Sequence, residues 1–125
     1  MYSAQLLDHF QHPRNAGELL GADATVKVEN PACGDVLELS ARVDEGRIAA
    51  IRFRARGCTA AIACSSALTE LVGGCSLAEA QAIRREQVVE AVGGLPYEST
   101  HASHLAVDAL AALLKALPAE GRGGG

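Results

Sequence analysis

Tryptophan is absent, and tyrosine and phenylalanine supply two residues each to a chain of 125. A core therefore has to be built from Leu, Val, Ile and Ala. Positive charge is also short: 11 Lys and Arg face 15 Asp and Glu, a formal net charge of -4. A general nucleic-acid binder needs a basic face, so no nucleic-acid partner is expected. No apolar run approaches the ~18 residues of a membrane span, so no membrane partner is expected either. The first residues lack the charged-then-apolar layout of a secretory signal. A cytoplasmic location with reduced thiols follows as the expectation. In that setting four cysteines indicate metal or redox chemistry rather than disulfide staples.

Hydrophobic residues make up 49% of the chain, enough for one domain with a real core. Residues 2–10 read as a short amphipathic helix with Leu6, Leu7 and Phe10 on one face, stopped by Pro13. Residues 23–30, 36–43 and 47–56 alternate as strands, and Asp44-Glu45-Gly46 reads as the hairpin turn between the last two. Residues 59–72 read as a helix carrying Ile62, Leu68, Leu71 and Val72, ended by Gly73-Gly74. Ser76-Leu77-Ala78-Glu79 is a capping-box signature that opens a further short helix. Another short helix spans 86–92. The last, 103–117, has Leu110, Leu113, Leu114 and Leu117 on its apolar face and ends at Pro118. Strands first and helices afterwards specify an α+β domain: a three-stranded antiparallel sheet covered on one face by helices. The domain is expected over 1–118, with 119–125 as a flexible tail.

The chemistry concentrates in three places. Cys33 lies in Pro31-Ala32-Cys33-Gly34-Asp35 between two strands, Cys58 follows Gly57 where a helix begins, and His101 precedes the last helix. Thiolate and imidazole suit zinc and iron–sulfur centres. Asp35 can add a carboxylate oxygen to the same centre or cap its turn. His101 can be a ligand or a capping histidine. The amides and dipole at a helix start favour a thiolate at Cys58. His104 can be a second imidazole near the site or a core or surface residue. Cys64, six residues beyond Cys58, points about 240° around the helix, and Cys75 lies roughly 20 Å away beyond its far end. Both read as small hydrophobes.

These motifs resemble those of the IscU/NifU-type iron–sulfur cluster scaffolds over about residues 2–117. The resemblance is carried by Asp8-His9-Phe10-Gln11-His12-Pro13-Arg14-Asn15, Pro31-Ala32-Cys33-Gly34-Asp35, Gly57-Cys58 and Ser76-Leu77-Ala78-Glu79-Ala80-Gln81-Ala82-Ile83. It implies the family's α+β fold and a scaffold rather than an enzyme. Such proteins receive sulfur from a cysteine desulfurase, assemble a 2Fe–2S cluster from iron and pass it to apo acceptors. A frataxin-like protein is a further implied partner, and some members bind zinc at the same site. Cys33, Asp35, Cys58 and His101 are the residues implied to hold the cluster or metal. Two segments depart from the family pattern. Its His-Cys-Ser is His101-Ala102-Ser103 here, so one thiolate is missing. Its Leu-Pro-Pro-Val-Lys, read by an Hsp70-type chaperone, is Leu95-Pro96-Tyr97-Glu98-Ser99, so chaperone handover does not carry over. The interval from Cys58 to His101 lacks room for the insertion of the zinc-dependent SufU branch. A zinc-binding sulfur acceptor and a desulfurase regulator that builds no cluster stand as alternative readings.

Overall fold

The computed structural model describes residues 1–118; the tail expected at 119–125 lies outside the described residues. Helix α1 (Ala4–Gln11) leads to three strands, β1 (Ala24–Asn30), β2 (Asp35–Asp44) and β3 (Arg47–Arg56). Helices α2 (Thr59–Val72), α3 (Leu77–Gln81), α4 (Arg85–Ala91) and α5 (His101–Ala116) follow, with a 3-10 turn at Tyr97–Ser99 before α5. The sheet is antiparallel in the order β1-β2-β3, as expected. Glu45 and Gly46 both have positive φ, 52° and 75°, which is the two-residue hairpin whose twist matches its strands.

Leu37, Leu39, Ala41 and Val43 of β2 point inward, joined by Ile48, Ile51 and Phe53 of β3. Ile48 and Ile51 are three apart, which plain alternation forbids. The register shifts between Arg42 and Val43, so that Arg42 faces Ala50 and Val43 faces Ile48. Ala49 is the extra residue, and it restores both isoleucines to one face. On the opposite face Glu38 pairs with Arg54 at 2.9 Å. Loops cover the outer edge of β3. Phe53 exchanges hydrogen bonds with Asn15 and Gly17, and Ile48 does so with Cys75 and Gly74, leaving less of the strand open to foreign pairing.

Helices α2 and α5 lie across the inner face, α2 against β3 and α5 against β1 and β2. The apolar stripe expected for α2 is only part of what the helix buries. Ala60, Ala61, Ala63, Ser65, Ser66, Ala67 and Thr69 are enclosed together with Leu68 and Val72, while Ile62 and Leu71 are half-buried. Small side chains let α1, α4 and α5 close in around α2. Helix α1 also differs from expectation. It buries Leu6 and His9, and it leaves Leu7 and Phe10 partly exposed. Helix α5 begins at His101, two residues earlier than expected. The start of β2, the β3–α2 junction and the start of α5 consequently meet at one corner.

Candidate metal centre

The corner is assembled from three backbone turns. After β1, Asn30 organises the first: its carbonyl accepts Cys33 N–H at 3.2 Å and Gly34 N–H at 2.8 Å, and its side chain accepts Ala32 N–H at 3.1 Å. Gly34 takes φ 73°, where a side chain is disfavoured. Cys33 is left exposed, and Asp35, as the first residue of β2, turns inward and is only 2% exposed. Asn30, not Asp35, therefore caps this turn.

Gly57 makes the second turn, at φ 153°. A Cβ there would overlap the Asp35 carboxylate, lying 2.7 Å from its Cγ. Glycine is thus required to let the carboxylate approach the chain at Cys58 as well as to reverse the backbone. Cys58 is the N-cap of α2, and its sulfur accepts Ala61 N–H at 3.4 Å. The third turn delivers His101 as the first residue of α5.

Asp35 is the hub. Its Oδ1 accepts Cys58 N–H at 3.1 Å, and its Oδ2 accepts from the Cys58 thiol at 3.5 Å and lies 3.2 Å from His101 Nε2. His101 Nε2 is 3.8 Å from Cys58 Sγ. One ligand atom each from Cys33, Asp35 and His101 fall within 4.8 Å of one another. All four predicted site residues therefore come to one corner, Cys58 through its contacts with Asp35 and His101. Sulfur, imidazole nitrogen and carboxylate oxygen in one half-open corner fit zinc or iron.

The expectation of an activated Cys58 is not met. Burial pushes its thiol up, and the neighbouring Asp35 adds to this; the amides of Ala61 and Ala60 work the other way and do not prevail. A protonated thiol beside a carboxylate is the outcome, and a bound cation would reverse that balance by drawing off the proton. Cys64 is enclosed in the core and pushed up to about 12 by burial, with a smaller contribution from Cys58, which fits an inert thiol. Cys75 lies past the far end of α2, half-buried, with its thiol donating to Leu71 O at 3.2 Å. His104 is exposed one turn along α5 and, with His101, Glu29 and Asp108, lines a cleft of about 290 Å³. Ala102 is 1% exposed and belongs to the core.

Sequence reasoning missed a second polar constellation, in which the N-terminal motif braces α2. Ser66 Oγ accepts Arg14 N–H at 2.8 Å and meets His9 Nδ1 at 2.8 Å, while Asn15 donates to Thr69 Oγ1 at 3.1 Å. The Thr69 hydroxyl donates to Ser66 O at 2.7 Å, with Arg14 O a more distant acceptor at 3.2 Å. The signal available was a histidine on the buried face of α1 and hydroxyl residues inside a helix.

Residues 1–121 match the family of NifU-like N terminal domains. An iron–sulfur cluster assembly scaffold protein, IscU 1, of Archaeoglobus fulgidus is 48% identical over 110 residues, covering 88% of this chain and 72% of that protein. The IscU scaffold protein of Escherichia coli K12 is 45% identical over 117 residues, covering 90% and 91%. A NifU-like N-terminal protein from Brucella abortus has the same fold, with a TM-score of 0.76 at 19% identity over 92% of each chain. With the two cysteine motifs and His101 folded into this corner, and with the family match and sequence identity extending over most of its length, the chain belongs to the NifU-like N-terminal domain family.

Proposed function

We propose that this protein is a scaffold on which an iron–sulfur cluster is assembled, with Cys33, Asp35, Cys58 and His101 as the ligands of iron or of a 2Fe–2S cluster. The observation that carries the reading is the contact of Asp35 with both Cys58 and His101, with Cys33 beside it. Relatives named as IscU scaffold proteins, 42–48% identical, support the same role.

The four groups divide the work by position. Cys33, on its exposed turn, is the group that meets iron and sulfur arriving from outside. Asp35 holds the corner together before loading by binding the Cys58 amide and thiol and the His101 imidazole. Loading frees Cys58 and His101 from that carboxylate and turns them to the cargo. Two bridging sulfides leave a 2Fe–2S unit four terminal positions, which these four groups fill; nitrogen ligation raises its potential relative to all-cysteine ligation. Sulfur comes from a cysteine desulfurase, with a frataxin-like protein and apo iron–sulfur acceptors as the other partners. The function is binding and handover rather than catalysis.

Anaerobic purification with metal and sulfide analysis and a visible spectrum tests this. Iron with equimolar sulfide is the expected result. Zinc without sulfide would select the zinc-binding sulfur acceptor, a reading favoured by the compact sulfur, nitrogen and oxygen set. A protein that binds no metal and still docks the desulfurase would be a regulator.

A further inference from the structure

The two edges of the sheet are finished differently. Along β3, Phe53 and Ile48 are bonded by loop residues. The outer edge of β1 has no such cover: its ladder runs to β2 alone, and among the described residues no loop and no further strand bonds to it. Every second residue of an edge strand turns its N–H and C=O outward, so β1 presents a row of groups that can take a further strand. Its inward-facing Val26 and Val28 are only half-buried, whereas Leu39 and Leu37 opposite them on β2 are fully enclosed.

Two devices that commonly blunt an edge are missing from this one. The strand pairs with β2 over Ala24–Asn30 without a bulge, and it contains no proline. Charge is the safeguard that remains, at Lys27 and Glu29, both exposed on the face away from the helices. Their neighbours on β2 do not neutralise them: Glu38 beside Lys27 already pairs with Arg54 at 2.9 Å, and Val36 faces Glu29.

That safeguard fails against a second copy of β1 laid antiparallel. To keep the helices on one side the two strands must register in phase, since a one-residue slip exchanges the faces. Centred on Lys27, the pairing sets Lys27 against itself. Centred on Glu29, it sets Glu29 against itself, and centred on Val26 it gives no pair of opposite charge. Centred on Val28, it sets Lys27 of each copy opposite Glu29 of the other, and Val26 opposite Asn30. Opposite charges directly across two strands attract, and like charges repel. Residues 26–30 then face one another, up to Pro31, which has no N–H to offer.

We propose that β1 is the surface through which two copies of this chain associate, in an antiparallel joint centred on Val28 that joins three strands from each copy into one sheet. The two-fold axis runs perpendicular to the sheet, so the helices of both copies stay on one face and the contact is isologous. The facing stretch is short and buries well under the ~800 Å² per partner of a standard stable interface, so the dimer comes apart on dilution. The joint does not depend on what the corner binds.

Sedimentation equilibrium of the metal-free chain tests this, with a chelator and a non-thiol reductant present to remove metal-linked and disulfide-linked species. A reversible monomer–dimer equilibrium is expected as concentration rises. Lys27→Glu and Glu29→Lys should each weaken it about tenfold, with far-ultraviolet circular dichroism unchanged. Mixed together, these two single variants should pair with each other as well as the parent pairs with itself, because both cross-strand contacts are then again of opposite charge. The double variant Lys27→Glu with Glu29→Lys should dimerise like the parent for the same reason. A chain that stays monomeric up to about 1 mM, which is weaker than a ~4 kcal/mol contact, would overturn the proposal. So would a single variant that dimerises like the parent, or a mixture of the two that does not pair.

Discussion

Two polar constellations share helix α2, and they use similar side chains to opposite ends. At its start Cys58 meets Asp35 and His101, with Cys33 beside them. About two turns along, Ser66 meets His9, whose other nitrogen lies 3.6 Å from Glu70. On paper Ser66, His9 and Glu70 resemble a nucleophile, a base and its orienting carboxylate. The surroundings decide otherwise. Ser66 is fully enclosed, out of reach of any substrate, and its hydroxyl is engaged by both Arg14 N–H and His9 Nδ1. That set is closed, and it fastens α1 and the following loop to α2. The corner at Cys58 is open, because the Cys33 sulfur is exposed and makes no hydrogen bond among the described residues, and Asp35 holds groups that a metal can take over. Reactivity here follows from unused capacity and access more than from residue type.

The widest break in that contrast should come from Gly57→Ala. The new methyl group would collide with Asp35, so metal or cluster uptake should fall nearly to zero, with the fold weakened by about 1–3 kcal/mol. Metal content together with far-ultraviolet circular dichroism reads both effects. A variant that still loads fully would mean that Asp35 is not needed where it sits.

Ser66→Ala should do the reverse. It orphans a half-buried backbone N–H and the His9 nitrogen, at a cost of about 1–3 kcal/mol in urea unfolding, while metal stoichiometry stays at the parent level.

A smaller effect should follow from acidification. Burial, and then the Arg14 charge, lower the pKa of His9 below its usual 6.5; Glu70 and Asp8 oppose them. The neutral form is the one the brace holds. Below pH 6.5 the unfolded chain takes up the proton first, so the His9 contribution is complete above that pH and lost as pH falls through the lowered folded value. The slope is at most about 1.4 kcal/mol per pH unit, and it should flatten in His9→Gln. Urea midpoints measured between pH 5 and pH 7.5 on both proteins give the comparison.

The subtlest change is Ala102→Cys. A thiol beside His101 should lengthen the life of a bound cluster under chelator, followed as decay of visible absorbance. An unchanged lifetime at equal initial loading would show that position 102, 1% exposed, is committed to the core.

Local patterns carried much of this protein in the sequence itself. β3 spans Arg47–Arg56 and α2 spans Thr59–Val72, the ranges that alternation and the glycine stops indicate. The Ser76 and Glu79 capping box forms as written. Each rests on contacts within a few residues, which spacing encodes directly. That Cys33, Asp35, Cys58 and His101 would meet was legible for a different reason: ligand-type residues standing in turns in the order of a known family's motifs. What needed the tertiary structure was every property set by distant neighbours. Helical periodicity grouped Leu7 and Phe10 with Leu6, and only the packing of α1 on α2 chose His9 instead, because Ser66 is there to bond it. The helix start spoke for an ionised Cys58, and only the buried surroundings and the arrival of Asp35 from 23 residues away push its thiol up. Gly57 looked like a turn residue until Asp35 occupied the space its side chain would fill. Burial and electrostatics depend on which atoms share a volume, and that sharing exists only after the chain has folded.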